Sequence, residues 1–130
     1  MTERGNLIYP QLSYKISGVL FSVHNELGCY AKEKQYGNVL EKKLNEQNIK
    51  YQREVAIGNS GNIVDFIIDS KILLELKAKR ALIREDFEQT QRYLQETQLK
   101  LGILVNFRNQ YLKPVRIVKI DTQNKTKFQK

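Results

Sequence analysis

Ile63-Val64-Asp65-Phe66-Ile67-Ile68-Asp69-Ser70-Lys71-Ile72-Leu73-Leu74-Glu75-Leu76-Lys77-Ala78 is the stretch whose reading decides the fold. Two β-rich runs flank Asp69, Ser70 and Lys71, residues that suit a bend, so the stretch reads as a hairpin. Pairing symmetrical about Ser70 sets Asp65 opposite Glu75. Side chains alternate across a strand, so Asp65, Ile67, Leu73, Glu75 and Lys77 fall on one face. Val64, Phe66, Ile68, Ile72, Leu74 and Leu76 fall on the other. One face is wholly apolar and the other carries three charges. Two carboxylates placed opposite each other repel, so the pair calls for a bound cation or a nearby lysine.

Upstream of the hairpin, Leu12, Ile16, Val19, Leu20, Val23 and Leu27 recur at helical spacing and predict an amphipathic helix over 11–27, stopped by Gly28. A second helical pattern, over 31–47, lines up Glu33, Tyr36, Gly37, Leu40 and Leu44, so a carboxylate sits in an otherwise inward stripe. A strand is expected around Arg53 to Ile57, and Gly58 to Asn62 reads as a turn. Downstream, a third helix is predicted over 84–97, with Phe87 and Leu94 as its apolar residues. Gln89 and Tyr93, four residues apart, share one side of it. The near-continuous apolar run Leu101 to Phe107 reads as a buried strand, and Val115 to Ile120 as another behind Pro114. Residues 122–130 show no periodicity and are expected to fray.

A chain of 130 residues is long enough for one core, so a single domain over 1–130 is expected, with its core at about 11–121. With 41% hydrophobic and 28% charged residues it reads as globular. No apolar run approaches the roughly 20 residues of a membrane helix, which excludes a membrane role of that kind. Met1 to Pro10 lacks the pattern of a secretory signal, and the expected location is cytoplasmic. One cysteine, Cys29, and one histidine, His24, exclude an intramolecular disulfide and a structural zinc site. Any metal would be held by oxygen. The net charge of +8 is concentrated late: from Arg108 to Lys130, seven Lys/Arg face one Asp. Such an excess attracts phosphate backbones, though a basic tail also serves solubility.

An Asp, a Glu and a Lys on one strand face suit metal-assisted phosphodiester hydrolysis. Each part also has a plainer reading in isolation. Asp65, Glu75 and Lys77 would fit an exposed hairpin face, Glu33 a surface pairing with Lys32 or Lys34, and Gln89 with Tyr93 ordinary packing. His24 and Cys29 have no evident partner and are left out of the site.

The order of motifs resembles the GxxExxY proteins, a group within the PD-(D/E)XK nuclease-like superfamily. Gly28-Cys29-Tyr30-Ala31-Lys32-Glu33-Lys34-Gln35-Tyr36 is similar to the naming motif, with Glu33 and Tyr36 at its Glu and Tyr and with Tyr30 where a second glycine is usual. Val64-Asp65-Phe66 followed by Glu75-Leu76-Lys77 resembles the superfamily's Asp and Glu-x-Lys signature. Gln89 and Tyr93 resemble its Gln-x-x-x-Tyr motif, and Leu101-Gly102-Ile103-Leu104-Val105-Asn106-Phe107 the group's terminal strand.

The resemblance implies an α/β, restriction-endonuclease-like core: a mixed four- to five-stranded sheet flanked by helices, with Glu33, Asp65, Glu75 and Lys77 converging at one edge. It implies Asp65, Glu75 and Glu33 as ligands of Mg²⁺ or Mn²⁺, and Lys77 serving the water or the transition state. Gln89, Tyr93 and Tyr36 would orient the site or contact substrate. The expected activity is hydrolysis of DNA or RNA. The alternative is a slow or inactive nuclease-fold module that binds nucleic acid or a protein partner, with homodimerisation open.

Overall fold

A computed structural model describes residues 8–121 of the chain. Its elements are α1 (Pro10–Leu27), α2 (Glu33–Glu46), β1 (Tyr51–Ile57), β2 (Asn62–Ile68), β3 (Ile72–Lys77), α3 (Arg84–Thr97), β4 (Leu101–Asn106) and β5 (Val115–Val118). The basic tail, 122–130, lies outside the described residues. The strands form one five-stranded sheet in the order β1-β2-β3-β4-β5. β3 and β4 run parallel, joined through α3, and the other neighbours are antiparallel. The sheet is therefore mixed, as expected.

The hairpin has the register that its symmetry predicts: Phe66 pairs with Leu74, Ile67 with Leu73 and Ile68 with Ile72. Asp69 and Ser70 both take positive φ, 53° and 55°, and Lys71 N–H donates to Ile68 O at 2.9 Å. Two successive positive-φ residues give the turn whose twist matches the flanking strands.

Two apolar layers cover the sheet. Ile16, Leu20 and Val23 of α1 and Leu40 and Leu44 of α2 pack on Phe66, Ile68, Ile72, Leu74, Leu76, Ile103 and Val105. On the opposite side Tyr93 and Leu94 of α3 pack on Ile57, Val64, Ile67 and Leu73. Val64 is thus not on the face of Phe66, contrary to the simple alternation. The reason lies in β1, where Glu54 adopts φ 53°. Arg53 lies over the Phe66 ring on the α2 side, whereas Val55 packs on the α3 side. Both strands of this pair change face at Glu54 and Asp65, which interrupts the period-two pattern.

α3 also departs from its pattern, since Phe87 stays exposed while Asp86, Thr90, Tyr93 and Leu94 turn inward. Gly102 allows α3 to sit close on β4. A Cβ there would lie 3.1 Å from Thr90 Cγ2 and 3.6 Å from both Leu73 O and Leu94 Cδ1. Gly102→Val is expected to cost about 1–3 kcal/mol by overpacking. Its chemical-denaturation midpoint should fall, with the slope of the transition unchanged.

Candidate active site

β2 and β3 part company at Asp65 and Glu75. The ladder ends at Phe66 and Leu74, and beyond it side chains replace backbone partners. Asp65 N–H donates to Glu75 Oε2 and Leu76 N–H donates to Asp65 Oδ2, both at 2.8 Å. The two carboxylates therefore wedge the strands open and satisfy the backbone donors that the split exposes. β3 and β2 are interior strands, so the carboxylates and Lys77 meet at a fork inside the sheet and not at its edge, as had been expected.

A cleft of about 320 Å³ lies against the fork, lined by Glu33, Lys34, Gly37, Arg53, Glu54, Asp65, Phe66 and Leu76. Burial, and then the Asp65 charge, push Glu75 up to about 8. Burial also raises Asp65, against the opposing pull of the Leu76 N–H, and Glu33 adds to the rise of both. Lys77 pulls both carboxyls down without offsetting the effect of burial. Lys77 approaches from the α3 side. Its Nζ donates to Gln89 Oε1 at 3.1 Å and lies 3.9 Å from Asp86 Oδ1. Tyr93 is buried beside this group, and burial followed by the Glu75 charge raises its phenol.

The structure thus joins Asp65, Glu75, Lys77, Gln89 and Tyr93. Glu33 is exposed at the start of α2, within electrostatic reach across the cleft. Among the described residues no three His, Cys, Asp or Glu side chains form a ready-made metal cluster. The fork nevertheless suits a hard divalent cation. Asp65 Oδ1 and Glu75 Oε1 accept no protein hydrogen bond among the described residues, because each carboxylate commits only its other oxygen. Mg²⁺ is commonly held by one or two carboxylates with water and phosphate completing its shell.

Tyr36 does not reach the cleft. It is fully buried, stacked on Phe107 at 4.1 Å, and its hydroxyl donates to Gly28 O at 2.6 Å and accepts from Ala31 N–H at 3.2 Å. It is a positioning residue that fixes the loop leading to Glu33, and direct substrate contact is excluded. Tyr36→Phe should lower stability by about 1–3 kcal/mol by stranding the loop's polar groups. Denaturant unfolding of that variant reads the loss.

Three residues were missed in the sequence. Arg53 Nη1 donates to Asn38 Oδ1 at 2.8 Å and Glu41 Oε1 at 2.9 Å, which brings its guanidinium to the wall of the cleft. A Cβ on Gly37 would meet Arg53 Nη2 at 2.6 Å, so the glycine makes room for it. Asp86 accepts from Lys79 Nζ and Ile83 N–H, both at 2.8 Å. Burial alone would raise its carboxyl, but Lys79 and the Ile83 N–H outweigh that and hold it below the usual range. Asn106 clamps the chain after β3, accepting from Lys79 N–H at 3.1 Å and donating to Lys79 O at 2.8 Å. Only Asp86 left a readable signal, an acid in the first turn of a helix. His24 bonds Asn109 O at 2.9 Å, away from these groups.

A family model described as the PD-(D/E)XK nuclease superfamily matches residues 10–118. No curated protein matches the sequence. Among solved structures, the crystal structure of SSO0001 is similar at a TM-score of 0.50 and 19% identity, over 88% of this chain and 71% of that one. An alkaline exonuclease from Laribacter hongkongensis is similar at a TM-score of 0.49 and 14% identity, over 88% of this chain and 72% of that one. At such identity the first likeness speaks for the fold alone.

Proposed function

Because the chain belongs to the PD-(D/E)XK nuclease superfamily, we propose that it hydrolyses phosphodiester bonds of DNA or RNA at the fork between β2 and β3, using Mg²⁺ or Mn²⁺. The observation that carries this reading is the Asp65–Glu75 pair, Glu75 buried and Asp65 half-buried, each carboxylate committing one oxygen to a backbone N–H and leaving the other free of protein hydrogen bonds among the described residues. The Gly28-to-Tyr36 stretch supports placing the chain in the GxxExxY group.

Asp65 and Glu75 would hold the cation, with Glu33 as a further carboxylate across the cleft. A bound divalent cation supplies Lewis-acid polarisation of the phosphate and a more acidic water. Lys77 donates a hydrogen bond toward charge that develops on the phosphate oxygens, or orients the attacking water. Gln89 and Asp86 hold its ammonium in place. Tyr93, buried within reach of the Glu75 charge, helps orient the site, and Arg53 offers a guanidinium at the cleft wall to a neighbouring phosphate.

A second reading is a nuclease-fold module that binds nucleic acid without cutting it. The burial of Glu75, 4% exposed and outside the lining of the cleft, favours it. Incubating the purified chain with labelled single- and double-stranded DNA and RNA, in Mg²⁺, Mn²⁺ or EDTA, separates the two. Metal-dependent cleavage of any of the four substrates supports the nuclease; retention without cleavage under every condition supports the module.

A further inference from the structure

Tyr30 is 83% exposed although it stands in a tightly held loop. The Arg108 guanidinium lies over its ring, 5.5 Å from the centroid. Arg108 is itself pinned, since its Nε donates to Cys29 O at 2.9 Å and its Nη2 to Ala78 O at 3.4 Å. One guanidinium therefore ties together the loop that ends at Glu33 and the loop that follows Lys77, and it braces an aromatic ring on one face. The other face of the ring is open to solvent. An exposed aromatic held in this way loses little side-chain freedom when a flat partner stacks on it, which lowers the cost of binding.

The surroundings say what that partner carries. The three loops gathered here, 28–32, 78–83 and 107–114, contain Lys32, Arg80, Arg108 and Lys113, besides Lys79, which is paired with Asp86 of α3, and no Asp or Glu of their own. Phe107 N–H donates to Lys77 O at 2.8 Å, so the third loop joins the same end of the sheet. Cationic loops around a free aromatic face match a phosphate backbone bearing unpaired bases.

We propose that Tyr30, braced by Arg108, is a stacking platform for an unpaired base of single-stranded nucleic acid whose backbone follows the basic loops. The nuclease reading enters only in directing that strand toward the fork; base binding itself needs no cleavage. The platform makes the preferred ligand a single strand or a frayed end, because a base inside a duplex has no free face to offer.

The test uses the full chain in EDTA, where cleavage is suppressed. Single-stranded oligonucleotides containing 2-aminopurine, in DNA and RNA form, are titrated beside a blunt hairpin duplex at fixed salt. The wild type should quench the fluorescent base on binding. Tyr30→Ala should weaken single-strand binding roughly tenfold, the order of one base–aromatic stack, and lose the quenching, with duplex binding altered less than about twofold. Tyr30→Phe should retain both. Unchanged single-strand affinity in Tyr30→Ala, an equal loss on the duplex, or no single-strand binding by the wild type would each overturn the proposal. Intact stacking with no cleavage on adding Mg²⁺ would remove the nuclease reading and leave this one standing.

Discussion

Lys77→Met will keep the fold and lower metal-dependent cleavage by about 10²- to 10³-fold, the loss seen when one well-placed donor to a charged transition state is removed. Methionine preserves the length and apolar stem of the side chain but carries no donor. The structural consequences are small. Asp86 keeps its 2.8 Å contact with Lys79, and Gln89 is only half-buried and can turn to water. The fall should therefore appear in kcat, with the melting temperature and single-strand affinity close to wild type. Equal losses of stability and activity would instead assign Lys77 a packing role.

Glu75→Gln is expected to abolish cleavage and yet to make the metal-free protein more stable at pH 8. Glu75 titrates at about 8 when folded, against 4.5 for the ordinary side chain. Between those values the folded chain holds a proton that the unfolded chain has lost. Stability from this group is full below about pH 4.5 and is lost as pH rises through about 8. The slope approaches about 1.4 kcal/mol per pH unit where only this group differs. Asp65, also raised, contributes in the same direction. Glutamine keeps an oxygen for the Asp65 N–H and removes the charge, so its unfolding free energy in EDTA should vary less across this range. Denaturant unfolding from pH 5 to 9 reads the effect, and parallel slopes for the two proteins would contradict the assignment of Glu75 as the uncompensated carboxylate.

The hairpin was legible because two signals agreed: apolar alternation on both sides and a three-residue bend at Asp69 to Lys71. Its register about Ser70 followed from symmetry alone. The third helix and the common side of Gln89 and Tyr93 were legible from spacing, but the contact of Gln89 with Lys77 and the exposure of Phe87 were not. What the alternation could not convey is that β1 and β2 change face at Glu54 and Asp65. A positive φ at a glutamate has no signature in composition, so Val64 was assigned to the wrong side. The fork had the same obscurity, because it depends on two side chains taking over backbone hydrogen bonds between interior strands. Tyr36 was recognised by its place in a motif, but a motif does not say whether a hydroxyl faces substrate or a loop carbonyl. Arg53 and Asn106 act through partners 12 to 27 residues away in sequence, beyond the reach of local periodicity.

Titration with Mn²⁺ at pH 7, followed by the paramagnetic signal of the free ion and by proton release, addresses the fork most directly. Binding at the Asp65–Glu75 pair must displace the proton that the pair retains at that pH. The expected result is Mn²⁺ uptake with a proton released to the medium, both lost in Glu75→Gln and in Asp65→Asn. Uptake by the variants equal to that of the wild type, or no uptake by any of the three, would contradict a cation site between β2 and β3.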